Sequence, residues 1–143
     1  MSIDVGESLE QIIILCRRLA SLRKIQLDGS PPAQTIKLEG SIFNLQHILF
    51  RCVEIALIST AQNSTVHIAV ESTDNGARIV VTGGDPVQEV PNIADKASFL
   101  AQLVERIGGQ LDNSLGTGQP VKLTVILPRC LESISNGPDG ESI

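Results

Sequence analysis

The stretch "SIFNLQHILFRCVEIALIS", residues 41–59, constrains the fold more than any other. Leu45, Ile48, Leu49, Cys52, Val53, Ala56 and Leu57 fall at i, i+3, i+4, i+7, i+8, i+11 and i+12. On a helix that spacing gives one broad apolar stripe, and a stripe this broad has to be covered by a layer of other elements. Ser41 stands where an N-cap belongs. The surrounding sequence must supply the covering layer.

It does so with strands. "QTIKLEG" alternates Ile36 and Leu38 with polar residues, and "TVHIAVES" and "ARIVVTGG" flank "TDNG", an Asn-Gly turn that tolerates positive φ and closes a hairpin. "GQLDNSL" and "VKLTVILP" read as two further strands around "GTGQP", and a short "IQL" precedes the turn "DGSPP". Two more helices flank this set. In the first, Leu9, Ile12, Ile13, Cys16, Leu19 and Ala20 form the inward stripe, and Asp4 with Glu7 makes a capping box. In the last, Phe99, Leu100, Leu103, Val104 and Ile107 point inward before a Gly-Gly stop. The simplest burial solution is an α/β two-layer sandwich, a mixed, mostly antiparallel sheet of about six strands with three helices on one face. Residues 1–130 form this one domain, and 131–143, acidic and rich in Gly, Pro and Ser, read as a disordered tail.

Composition removes several function classes. The chain of 143 residues has a net charge of −5, no Trp or Tyr, and only Phe43, Phe50 and Phe99 as aromatic rings. It lacks stacking platforms for single-stranded nucleic acid, and its charge repels a polyanion. Cys16, Cys52 and Cys130 are far apart without CxxC spacing, which leaves zinc and a disulfide framework unsupported; two fall on apolar helix faces and read as buried hydrophobes. No apolar stretch reaches membrane-spanning length and no signal-peptide pattern is present, so a cytoplasmic protein without membrane contact is expected.

In order and spacing, "LEGSIFNLQHILFRCVEIAL", "RIVVTGGDP" and "LVERIGGQLDNSLGTGQPVKLTVILP" resemble the ATP-binding domain of histidine kinases, the fold shared with gyrase, Hsp90 and MutL. The resemblance covers Val5 to Pro128 and implies the helix of the N-box, the strand of the G1 box, and the closing helix, glycine turn and last strand. It also implies a nucleotide pocket in which each residue can be checked. The magnesium-holding Asn that precedes an Ala corresponds to Ile55, which has no oxygen with which to ligate a hard cation. One turn earlier, where the family has a polar or acidic group, stands Arg51, which repels magnesium and cannot act as a base. With Gly84 matched to the box's glycine, the adenine-binding Asp becomes Thr82; sliding by one residue puts Gly83 there instead. The lid region is reduced to "PVQEVPNIADKAS", with no glycine to build a phosphate-binding nest.

The resemblance thus implies a degenerate domain. Its vestigial pocket comprises Arg51, Ile55, Thr82, Gly84, Gly116 and Gly118, with no catalytic residue, no metal and no cofactor. It is similar to the pseudo-kinase phosphotransferases, which use this domain to dock a response regulator, but the chain starts without their helical hairpin. The expected partner is a protein of a bacterial two-component-type pathway, either a histidine kinase hairpin or a response regulator, with a homodimer also possible. His47 in "QHILF" lacks the acidic context of a phosphoacceptor, and His67 in "TVHIAVE" reads as a solvated strand residue. Two rival readings stand beside this one: a divergent ATP-binding kinase of the anti-sigma type, and a small-molecule sensor. Ile14 and Leu15 fall off the first helix's inward face and mark a candidate contact surface.

Overall fold

A computed structural model describes residues 2–87, 90–114 and 119–132. The chain runs β1 (Ser2–Asp4), α1 (Val5–Leu22), β2 (Gln26–Ser30), β3 (Lys37–Glu39), α2 (Ile42–Ile58), β4 (Thr65–Thr73), β5 (Gly76–Thr82), α3 (Ile93–Arg106), β6 (Gln110–Ser114) and β7 (Lys122–Pro128). The main sheet has the order β2-β4-β5-β7-β6, with β2 parallel to β4 and every other pair antiparallel. Three helices pack on the face that carries Val66, Ile68, Ile79, Val81, Leu123 and Val125, all completely buried. On the opposite face Arg78 and Glu71, cross-strand neighbours, form an exposed ion pair. This is the expected two-layer α/β sandwich.

The local reasons are those that the sequence predicts. Asp4 Oδ1 accepts the Glu7 N–H at 3.1 Å at the start of α1, and Ser41 Oγ accepts the Asn44 N–H at 3.4 Å at the start of α2. Caps of this kind are each worth about 1 kcal/mol. The α2 stripe is the centre of the core: Leu45, Leu49, Cys52, Val53 and Ala56 have no exposed surface. Gly108 ends the turn after α3 at φ 88°, a conformation costly for any residue with a Cβ.

Four details differ from the sequence reading. The sheet has five strands rather than about six, because β3 leaves it and pairs antiparallel with β1 in a small second sheet, Ile3 opposite Leu38. Leu19 is 43% exposed and Phe99 45%, so neither belongs to its helix's inward stripe. A helix lying on one layer buries a narrower arc than periodicity alone allots to it. Finally, the ordered packing extends past 130: Leu131 is buried, its N–H donates to the Glu39 carbonyl at 2.7 Å, and the Glu132 N–H donates to that of Ile107 at 3.0 Å. Residues 133–143 lie outside the described residues. No helix among the described residues is long and apolar enough to cross a membrane.

Candidate functional site

One flank of α2 carries His47, Arg51, Glu54 and Ile55 at helical spacing, facing the first turns of α3. Between the two helices lies a cleft of about 350 Å³, lined by Arg51, Glu54, Ile55, Asn92, Asp95, Lys96 and Phe99. Ile55, 1% exposed, contributes an apolar wall with no ligating atom. Arg51 is held from three sides. Its Nε donates to His47 Nε2 at 3.3 Å, its Nη1 donates to Glu54 Oε1 at 3.0 Å, and its guanidinium carbon lies 5.5 Å from the Phe99 ring centroid. His47 meets the same ring edge-on, with centroids 6.3 Å apart. With Lys96 and Asp95 on the α3 side, the described residues that line the cleft include two cations and two carboxylates, whose charges cancel.

Of the residues singled out in the sequence, Arg51 and Ile55 come together in this cleft. Thr82 and Gly84 do not line it among the described residues; they sit at the end of β5, where Thr82 is half-buried opposite His67 and Lys122. Gly83 and Gly84 fold down on the segment after α2. The Gly83 N–H donates to the Val121 carbonyl at 2.9 Å, the Ala61 N–H to that of Asp85 at 2.7 Å, and the Asp85 N–H to Ser64 Oγ at 2.8 Å. A Cβ on Gly83 would collide with Thr60 Oγ1, and one on Gly84 with Ser64 Oγ. Close approach of the chain to itself accounts for both glycines without any ligand. Gly116 and Gly118 lie outside the described residues.

Sequence reasoning missed Glu54, Asn92, Asp95, Lys96 and Phe99. The signal that could have found Phe99 is its isolation in a chain almost free of aromatics, on a helix whose Leu and Val residues already fill the inward face. Asn92 opens α3 in the left-handed region, φ 60°, with no side-chain cap. Among the thiols, burial pushes Cys52 up to about 12 and raises Cys16, whereas Cys130 is exposed. His67 is fixed by its Nε2, 2.9 Å from Ser30 Oγ.

No family model matches the sequence, and comparison with curated proteins gives no match. The fold, by contrast, has clear parallels among solved structures. The catalytic domain of histidine kinase ThkA aligns with a TM-score of 0.76 at 16% identity, over 92% of this chain and 98% of that one. A mycobacterial sensor histidine kinase, MprB, aligns with a TM-score of 0.72 at 16% identity, over 92% and 97%. ThkA in complex with the response regulator protein TrrA aligns with a TM-score of 0.73 at 15% identity; the match covers 90% of this chain and 41% of that one. The chain has the histidine-kinase-like ATPase fold.

Proposed function

We propose that the chain is a non-catalytic member of this fold, one that has given up Mg-ATP binding and serves a two-component-type pathway by docking a protein partner. The observation that carries this reading is the buried Ile55 beneath the Arg51–Glu54 pair. A magnesium triphosphate needs a hard oxygen donor on this helix, and it meets instead a methyl-rich wall and a guanidinium already engaged by a carboxylate and a ring. The packing of Gly83 and Gly84 on Thr60 and Ser64 supports the same reading, since it leaves the β5 turn filled by the chain itself. That a histidine kinase of this fold was solved with a response regulator protein favours a response regulator as the class of partner, over a histidine kinase hairpin.

A small-molecule sensor is the second reading, favoured by the cleft itself, whose 350 Å³ is within the range of small-ligand pockets. Incubation with Mg-ATP followed by assay of ADP release and of protein phosphorylation separates these readings from a divergent kinase. Neither product should form. ADP release abolished by Arg51→Ala or Lys96→Ala would contradict the proposal.

A further inference from the structure

One exposed flank of α1 is apolar where a solvated helix would be polar. Leu15 is 67% exposed, Leu19 43% and Leu22 74%. Their i, i+4, i+7 spacing makes a continuous ridge, about 10 Å long at the helical rise. Leu19 carries the ridge into a groove between α1 and α2 of about 140 Å³, whose other lining residues are Cys16, Phe50, Val53, Leu57 and Ile58 with Arg23 and Glu54 as its charged members. Gln46 Nε2 donates to Gln11 Oε1 at 2.6 Å just before this ridge, which fixes the two helices against one another there.

Of the charged side chains that line the groove, Glu54 is already paired with Arg51 at 3.0 Å, which leaves Arg23 facing it. Arg17, Arg18, Arg23 and Lys24 fall within residues 17–24 without one acid among them, in a protein of net charge −5 with eleven Lys and Arg in all. Arg18 lies one turn from both Leu15 and Leu22, and Arg23 lines the groove. Pairing this face with the same face of a second copy would bring two basic segments together, so charge favours a different occupant.

The geometry points to the α1–α2 groove as the docking site for an acidic amphipathic helix of another protein, whose apolar stripe meets Leu15, Leu19 and Leu22 while its carboxylates meet Arg18 and Arg23. Helix-in-groove recognition needs an apolar trough between two rigid walls and a charged rim that sets polarity; both are present. This rests on the partner-docking reading above and names the surface and the chemistry of its partner.

The test uses the full chain and a labelled peptide of about 18 residues, with leucines at i, i+3, i+4 and i+7 and glutamates on the flanking positions. A lysine-flanked version of the same length is the control. Fluorescence anisotropy should show binding of the glutamate peptide only, weakened at least about tenfold by Leu22→Glu, by Leu15→Glu and by Arg23→Glu, and weakened by added salt. Ile14→Glu, about 100° further around α1, should leave binding unchanged. Equal binding of both peptides, no binding, or indifference to the groove substitutions would overturn the proposal. So would unfolding of Leu22→Glu in a thermal melt, which would place that side chain in the core. So too would self-association of the unmodified chain that Leu22→Glu abolishes, because the occupant would then be a second copy. Binding of Mg-ATP would sink the non-catalytic reading but leave these outcomes in place, since the nucleotide cleft opens between α2 and α3.

Discussion

Arg51 on α2 and Phe99 on α3 meet with the guanidinium 5.5 Å from the ring centroid, and the pair bridges the helices on either side of the candidate cleft. Both side chains are partly exposed, Arg51 is also tied to Glu54, and Phe99 is also touched by His47. A double-mutant cycle with Arg51→Ala and Phe99→Ala should therefore give a coupling energy of about 0.5–1 kcal/mol. Denaturant melts of the four proteins measure it. A coupling indistinguishable from zero would show that the two side chains do not hold the cleft's wall.

The core's centre is α2. Leu49 has no exposed surface and sits in the middle of that helix's stripe, so Leu49→Ala should cost about 2–5 kcal/mol. Ile14→Ala, at a position 69% exposed, should stay within about 0.5 kcal/mol of the parent. Urea midpoints compare the two directly. A small loss at 49 would show that another element dominates the core.

Most of the fold was legible because it depends on local signals: the α2 stripe, the Asp4–Glu7 cap, the Asn-Gly hairpin and the glycine stop after α3. What the sequence hid depends on distance. β1 is three residues long, with one buried side chain, and becomes a strand only because Leu38 comes to lie opposite Ile3. Arg51 and Ile55 could be placed on one flank from their spacing, but nothing in spacing reveals that Lys96 and Phe99 complete the cleft from the other helix. Periodicity assigned Leu19 and Phe99 inward because it cannot measure how wide an arc the sheet covers. Each of those two exposed residues now borders a cleft between helices.

Leu131 sharpens the question of where the folded unit stops. Reading the tail as starting at 131 implies that truncation after Arg129 is harmless, whereas its burial and its bond to Glu39 imply a loss of about 2–3 kcal/mol. Truncation after Glu132 should leave the melting midpoint unchanged. Equal stability of the two truncated chains would show that Leu131 contributes nothing.

The thiols predict an alkaline limit to stability. Burial holds Cys52 protonated, moving it from 9.0 up to about 12. The folded state therefore binds this proton more tightly than the unfolded state does. The associated stability is intact below about pH 9 and is lost progressively as pH rises toward 12. Cys52→Ala should flatten that part of the profile. In the native protein at neutral pH, a thiol reagent should modify Cys130 and spare Cys16 and Cys52. Rapid labelling of all three would show that the helical layer opens readily.

The central claim, that this fold has here lost its nucleotide, is tested most directly by calorimetric titration of the full chain with millimolar ATP, with and without magnesium. The account predicts no magnesium-dependent heat, because Ile55 offers no ligand and Arg51 opposes the cation. It also predicts that Ile55→Asn combined with Thr82→Asp does not restore tight binding, since residues 86–98, between Asp85 and Phe99, contain no glycine. A magnesium-dependent dissociation constant near or below about 0.1 mM, roughly −5.5 kcal/mol, would contradict it.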